Sequence, residues 1–256
     1  MWIDTHTHLW DEQFDNDRQE ILKSLGGKLK FIIEIGVNAH TSQKAVSLAY
    51  KNERVFAVVG VHPHDAKDLN DHVFNIIKDL SKMDKVVGIG EIGLDFYKNY
   101  SPEEQQKQCF IRFLNYAKES NFPIVLHIRD AYEDVIDILK TEGVPKAGGV
   151  VHSFLSHYKH AKQFLDLNLF LGIGGPITFK KNGSLRDTIK KIPIENIILE
   201  TDCPYLTPVP KRGHRNEPAY VEYVAQEISK TKHLPILDVE EVLCENAATL
   251  FGLPKC

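Results

Sequence analysis

The chain has 256 residues, of which 43% are hydrophobic, and a formal net charge of -4 at pH 7. This length allows one or two domains with a sizeable core, and the mildly acidic balance excludes a generally basic nucleic-acid-binding protein. No apolar run approaches the roughly 18 residues that a membrane span needs, so no membrane partner is expected. Four cysteines without a CxxC motif indicate reduced thiols and a cytoplasmic protein.

Short β-branched runs alternate with amphipathic stretches eight times along the chain. The predicted strands are 1–4, 31–35, 55–61, a run that begins at 86, 124–127, 149–152, 169–173 and 197–200. The predicted helices are 14–25, 40–50, 71–81, one that begins after 101 and ends near 120, 132–140, 157–167, 185–191, 219–231 and 238–251. Strands that alternate with helices in this way pair in parallel through right-handed crossovers.

Eight such units in 256 residues average about 32 residues each, which is typical of a (β/α)8 barrel. The sequence therefore predicts one α/β domain, a TIM barrel that covers residues 1–256. A doubly wound open sheet is the alternative. It is disfavoured because no glycine-rich dinucleotide fingerprint follows the first strand.

Histidine and carboxylate side chains, which commonly bind metal ions, recur where predicted strands end. His6 and His8 are two residues apart, so an extended strand points both toward the same face and one cation can bind them. A carboxylate such as Glu91 at the end of a buried strand is costly unless it is paired or bound to a metal. Because catalytic groups of a TIM barrel gather at these ends, we expect one site. Its ligands are His6, His8, Glu91, His127, His152 and Asp202.

Six nitrogen and oxygen ligands exceed the need of one tetrahedral ion and favour two divalent ions that share a bridging carboxylate, Glu91. The predicted partition gives one ion His6, His8, Glu91 and Asp202, and the other Glu91, His127 and His152. These ligands allow zinc, manganese, cobalt or nickel, with magnesium less suited to imidazoles. Two such ions would activate a water, whose proton Asp202 is expected to accept. The catalytic residues are thus predicted to be Asp202 and Glu91.

Eight stretches of the sequence resemble the TatD family of metal-dependent deoxyribonucleases. They are DTHTHL at 4–9, GVHPH at 60–64, GEIGLDFY at 90–97, HIRDA at 127–131, VVHSF at 150–154, ETDCPYLTP at 200–208, RGHRNEP at 212–218 and NAATLFGL at 246–253. The resemblance implies an amidohydrolase-like TIM barrel, the same six metal ligands and hydrolysis of DNA phosphodiesters, often from an end. Trp10 and the stretch 155–157 depart from the family pattern. These departures bear on the range of substrates and not on metal binding.

Further residues are expected around the metals. His62, at the end of the third strand, is predicted to bind a phosphate oxygen or the leaving group, and Arg129 to grip a phosphate with its planar fork. Asp95 and Tyr97 are expected to orient ligands, and Glu34 to be a structural acid. With few cations available, single-stranded DNA ends are the expected substrate. The loop 211–215 is the next candidate for phosphate binding.

Two other functions stay open at this point. The same activated water could hydrolyse an amide, lactone, phosphotriester or aminoacyl ester, or the barrel could bind metal without catalysis. Many relatives on this architecture bridge their metals with a modified lysine, so Glu91 at that position favours the nuclease. The complete ligand set argues against a merely structural metal. The sequence does not fix the oligomeric state, and a monomer is possible.

Overall fold

Residues 1–255 are described by a computed structural model. Eight strands form one sheet in the sequential order β1 to β8, and each adjacent pair is parallel. The strands are β1 Trp2–Thr7, β2 Leu29–Ile35, β3 Val55–Val59, β4 Val86–Asp95, β5 Ile124–Arg129, β6 Gly149–Val151, β7 Leu169–Ile173 and β8 Ile197–Leu199. This arrangement confirms the predicted TIM barrel.

Helices follow the strands and cover the outside of the sheet. They are α1 Arg18–Ser24, α2 Ala39–Lys51, α3 Asp71–Leu80, α4 Glu103–Ser120, α5 Tyr132–Glu142, α6 Tyr158–Asp166, α7 Gly183–Lys191, α8 Val221–Lys232 and α9 Ile236–Phe251. Local capping fixes where some of them begin. The side chains of Asn38 and Thr41 form a reciprocal capping box at α2, which satisfies amide groups that the first helical turn leaves unpaired.

The core has two parts. Phe110 and Phe113 of α4 and Phe164 of α6 are among the largest fully buried side chains, and they pack between the helices and the sheet. A second cluster fills the barrel interior with one or more side chains from most strands. Phe251 of α9 joins this cluster, whose other members are Ile3, Phe31, Ile33, Ile35, Val58, Val125, Val150, Ile198, Cys244, Ala247, Leu250 and Leu253. The polar site lies at the opposite, carboxyl ends of the strands.

The ring of strands closes where β8 meets β1. Thr7 forms an isolated parallel bridge with Cys203, and the amide of His8 donates to the Cys203 carbonyl at 2.9 Å. The amide of Asp202 donates to the His6 carbonyl, also at 2.9 Å. The closure of the barrel therefore fixes the backbone of three predicted metal ligands.

Four strands, β1, β2, β4 and β5, are longer than predicted, and the extensions of β1 and β4 include predicted ligands. β1 continues to Thr7, and β4 continues through Glu91 to Asp95, so that Glu91 lies inside a strand and not after it. The register of β4 against β5 shifts between Ile89 and Ile92, and the pairing then resumes as far as Asp95 opposite Arg129. Backbone pairing with β5 thus outweighs the turn tendency of the glycines in this segment.

Cys109 and Cys203 are free, buried thiols, as expected. The expectation is wrong at Cys244, which is disulfide-bonded, and Cys256 lies outside the described residues. None of the helices within residues 1–255 is both long and apolar enough to cross a bilayer. The cytoplasmic location stays a prediction.

Candidate metal centre

Five of the predicted ligands meet near the closure of the barrel. His6 Nε2 lies 3.5 Å from Glu91 Oε2 and 3.8 Å from Asp202 Oδ1. His8 Nε2 lies 3.4 Å and His152 Nε2 3.7 Å from the same Asp202 oxygen. The predicted partition places His152 with His127, whereas here its ring stacks on that of His6 with the centroids 3.4 Å apart.

The other oxygen of Glu91 faces a second group of histidines. His127 Nδ1 lies 2.8 Å and His62 Nε2 3.8 Å from Glu91 Oε1. The two oxygens of this buried carboxylate therefore point to different sides of the site, as a bridging ligand requires. All six predicted ligands, together with His62, belong to one cluster.

The donor atoms fit divalent ions. Both ring nitrogens of His6 are buried and have no hydrogen-bond partner, which is costly for a polar group unless a ligand satisfies it. Nitrogen and oxygen ligands of a tetrahedral ion at ordinary bond lengths lie about 3.3–3.6 Å apart, close to the separations around His6. Within residues 1–255, three sets of side chains are close enough to hold an ion: His6, His152 and Asp202; His6, His8 and Glu91; and His62, Glu91 and His127.

The hydrogen bonds of His8 leave one ring nitrogen free for metal, and those of His127 orient its ring. His8 Nδ1 lies 3.1 Å from the carbonyl oxygen of Ile35, which can only accept, so Nδ1 carries the proton and Nε2 offers a lone pair. His127 Nε2 donates to Asp95 Oδ2 at 3.1 Å, while Nδ1 faces Glu91. Metal-binding histidines are commonly oriented in this way by an acceptor on the other nitrogen.

His62 has the opposite arrangement. Its Nδ1 accepts a hydrogen bond from the amide of His64 at 3.1 Å, so in the neutral ring Nε2 carries the proton. Burial and the neighbouring His127 hold the pKa of His62 well below its usual value, which keeps the ring neutral. His62 therefore presents an N–H group to the centre and suits an oxygen atom of a substrate better than a metal ion.

Asp95 orients the β5 side of the site. Its Oδ2 accepts from His64 Nε2 at 2.8 Å as well as from His127, and its Oδ1 accepts from the amide of Lys98 at 2.8 Å. Burial alone would raise the pKa of Asp95, but these bonds lower it and keep the carboxylate ionised. Tyr97, by contrast, is 59% exposed and orients no ligand, so the expectation for it is wrong.

The two acidic ligands are set to be ionised. Burial alone would raise the pKa of Glu91, but its hydrogen bond with His127 and the charge of His152 hold it well below the usual value. Burial would likewise raise the pKa of Asp202, but the charge of His152 and the hydrogen bond with His8 outweigh it and lower the pKa. Asp202 also has a left-handed backbone (φ 62°), a conformation that aspartate tolerates better than most residues.

Sequence reasoning missed two buried carboxylates. Glu200 Oε1 accepts from the amide of Ser153 at 2.7 Å and lies 3.0 Å from His152 Nδ1. A Cβ atom on Gly172 would lie only 2.4 Å from Glu200 Oε2, so glycine makes room for this acid. Asp4 accepts from the amide and hydroxyl of Thr201 at 2.9 and 2.5 Å. Each acid precedes a predicted ligand by two residues, a spacing that could have revealed both.

This geometry agrees with comparisons to known proteins. A model of the family described as TatD related DNase matches residues 3–252. The chain belongs to the TatD family. YabD of Bacillus subtilis (strain 168), described as an uncharacterized metal-dependent hydrolase, is 40% identical over 254 residues, which cover 99% of this chain and all of YabD.

A second TatD-family relative is described as the 3'-5' ssDNA/RNA exonuclease TatD of Escherichia fergusonii. It is 32% identical over 257 residues, which cover 98% of this chain and 99% of the relative. The crystal structure of YJJV, a TatD homolog from Escherichia coli K12, matches with a TM-score of 0.93 and 28% identity, and covers 99% of this chain and 98% of that one. The chain is thus a metal-dependent hydrolase of the TatD family.

Trp10, a departure from the TatD pattern, contacts the same backbone as a ligand. Its indole Nε1 donates at 2.7 Å to the Ile35 carbonyl, which also accepts from His8. Glu34 accepts from the Thr7 hydroxyl at 2.5 Å and from the Trp10 amide at 3.3 Å, and burial raises its pKa to about 7. Glu34 is therefore a structural acid that holds the segment carrying His6 and His8.

The predicted phosphate-binding cations lie at the rim of the TatD barrel. Arg129 is exposed at the end of β5, and its guanidinium carbon lies 3.9 Å from the centre of the Tyr97 ring. In the loop 211–215, Arg215 is paired with Asp17 and Arg212 lies over the ring of Phe179. Arg129 and Arg212 therefore have no carboxylate partner among residues 1–255, whereas the charge of Arg215 is compensated.

Proposed function

We propose that this chain is a divalent-metal-dependent nuclease that hydrolyses DNA phosphodiesters, from single-stranded 3' ends. The observation that carries the proposal is the two-sided Glu91 carboxylate, whose oxygens face separate histidine groups. If the two histidine groups each held a divalent ion with Glu91, the pair would supply the charge stabilisation that suits in-line displacement at phosphorus. The relative described as a 3'-5' ssDNA/RNA exonuclease supports the same substrate class, and it is 32% identical over nearly the whole chain.

The ligands His6, His8, Glu91, His127, His152 and Asp202 would hold two ions. Such ions lower the pKa of a water and neutralise charge on the phosphate. Asp202 then accepts the proton of the attacking water, because its carboxylate is ionised and lies at the centre of the cluster. His62 donates its Nε2 proton as a hydrogen bond to a phosphate oxygen or to the leaving group. Arg129 offers its fork to a flanking phosphate.

The acidic net charge favours short contact with a strand end over tracking along a duplex. The buried cluster lies at one end of the barrel, where a frayed or single strand can enter more easily than a paired duplex. A monomer in the cytoplasm is the assembly that we propose.

The test is metal-dependent turnover by the purified chain. Protein stripped of metal is reloaded separately with zinc, manganese, cobalt, nickel or magnesium, and then supplied with labelled DNA. The substrates are a single strand, a 3' overhang, a 5' overhang and a blunt duplex, alongside a lactone, an aryl ester and a phosphotriester. We expect degradation of single strands and 3' overhangs above the other substrates. Faster turnover of an ester or lactone than of DNA would favour the alternative hydrolase, and turnover of none would favour the non-catalytic barrel.

Metal analysis of the same samples tests the two-ion arrangement. We expect about two ions per chain at saturation, and Glu91→Gln should weaken the binding of both because its carboxylate faces both histidine groups. Asp84→Asn, an exposed substitution, is the matched control. One ion per chain at saturation would contradict the arrangement.

A further inference from the structure

Exposed aromatic side chains are concentrated at the catalytic end of the barrel. Within residues 1–255, five aromatic residues are exposed: Tyr50, Tyr97, Tyr100, Tyr158 and Tyr205. Tyr97 and Tyr100 follow β4, Tyr205 follows β8, and Tyr158 begins α6, whereas Tyr50 lies near the end of α2. Single exposed aromatics are ordinary, but four of five at the mouth of a deep polar site indicate a ligand-binding surface.

Tyr97 and Tyr205 lie on opposite sides of this mouth. In a ring of eight strands in sequential order, β4 and β8 are four positions apart and so face each other across the barrel. Tyr205 is half exposed, and its ring centroid lies 6.3 Å from that of the ligand His8. Tyr97 lies two residues after Asp95, the residue that orients His127. The metal ligands are therefore flanked by one exposed aromatic ring on each side.

Positive charge lies beside the Tyr97 ring. Arg129 sits over one face of it at 3.9 Å, and the ammonium group of Lys98 lies 5.8 Å from its centre. Within residues 1–255 neither cation has a carboxylate partner, and both side chains make only ring contacts. An uncompensated cation beside an exposed ring is the combination that binds the phosphate and the base of one nucleotide.

We propose that Tyr97 and Tyr205 are stacking platforms that each hold an unpaired nucleobase, so that the strand crosses the metal site between them. The inference rests on the proposed nuclease function and names the parts of the substrate that the rim recognises. Arg129 and Lys98 neutralise the phosphate of the nucleotide at Tyr97. At Tyr205 the weak hydroxyl contact with Asp11 Oδ2, at 3.4 Å, anchors the edge of the ring and leaves its face open.

This arrangement selects single strands through their bases. In a duplex the bases are already stacked on each other and paired, so a tyrosine ring at the rim finds no free face of a base to stack on. An unpaired base of any sequence can stack on tyrosine, which gives a preference for single strands without a preference for sequence. The platforms also fix which phosphate lies at the metals, because a strand held on both sides cannot slide freely.

The experiment compares normal and abasic oligonucleotides. Normal and abasic strands have the same phosphates. Each abasic strand lacks the base at one position near its end, and a series of strands covers these positions in turn. Affinity is measured by fluorescence anisotropy with phosphorothioate-linked strands that resist cleavage, and turnover with ordinary strands. The variants are Tyr97→Ala, Tyr205→Ala, Tyr97→Phe and Tyr205→Phe. The control is Tyr50→Ala, which removes an exposed tyrosine away from the mouth.

We expect the alanine variants to bind normal strands about tenfold more weakly and abasic strands as the wild type does. Tyr50→Ala should match the wild type with both, and the phenylalanine variants, which keep a ring for stacking, should lose far less affinity than the alanine variants. Equal losses on normal and abasic strands, or no loss, would overturn the stacking proposal while the nuclease function stands. Base-dependent binding without cleavage would support the platforms and remove the nuclease function. Absence of both binding and cleavage with every metal would overturn both.

Discussion

The two sides of the metal centre are built differently. On the β1 and β8 side, His6, His8 and Asp202 are positioned by the contacts that close the barrel. On the β4 and β5 side, His127 is positioned by two carboxylates, Asp95 and Glu91, and is more exposed. The first side is held mainly by backbone hydrogen bonds between distant parts of the chain, and the second by side-chain hydrogen bonds within neighbouring strands. Side-chain substitutions should therefore tune the second side while they mainly destabilise or inactivate the first.

The same contrast separates His62 from the metal-type histidines. An acceptor holds one ring nitrogen of His8 and of His127, whereas a donor holds that of His62. Histidines in similar positions thus differ in which ring nitrogen carries the proton, because the neighbouring group is an acceptor in one case and a donor in the other. This difference is the reason why we propose His62 as a substrate contact and the other two as metal ligands.

Asp202→Asn should have the largest effect. The amide is nearly isosteric but cannot accept a proton, so we expect turnover to fall by about 10²–10⁴-fold, with little change in thermal unfolding. Activity is measured at saturating metal, and metal content is measured on the same sample. Normal turnover with a full metal complement would remove Asp202 from the mechanism.

Asp95→Asn should weaken the β4 and β5 side selectively. The amide orients His127 less well, and loss of such a partner typically costs about 10–100-fold in metal affinity or activity. A metal titration should then show one weakened ion and one that binds as in the wild type. Asp84→Asn is the surface control. Equal weakening of both ions would mean that the two sides are not independent.

Thr201→Val should act on stability and leave the chemistry unchanged. The valine cannot donate to buried Asp4, which loses one of its hydrogen bonds beside the barrel closure. We expect a loss of about 1–3 kcal/mol in the free energy of unfolding, measured by urea denaturation. Thr141→Val, an exposed threonine of α5, should cost much less. If Thr201→Val unfolds as the wild type does, the closure does not depend on this bond.

His64→Gln should have the smallest effect. His64 bonds the same Asp95 oxygen as His127 but is partly exposed, and the amide of Gln can still donate to it. A loss of turnover of about twofold to fivefold is expected, within the usual worth of a hydrogen bond. A loss as large as that of Asp95→Asn would place His64 among the residues that contact substrate.

The repeating pattern of strands and helices was enough to predict the barrel, and strand-end histidines and acids were enough to predict the cluster. Other features depend on contacts that one sequence does not show. The extension of β4 through Glu91 needs the ladder with β5, and the role of Glu200 needs the space beside Gly172. The proton on His62 depends on an amide two residues away, and the exposure of Tyr97 depends on its loop.

The closure of the barrel also governs when the site can form. Its contacts join His6, near the start of the chain, to Asp202, which lies after β8. During synthesis, the first histidines leave the ribosome long before Asp202, the carboxylate beside which they lie in the folded chain. A nascent or truncated chain that stops short of β8 has neither the closing bridge nor Asp202, so the β1 side of the site cannot be completed before β8 has been made.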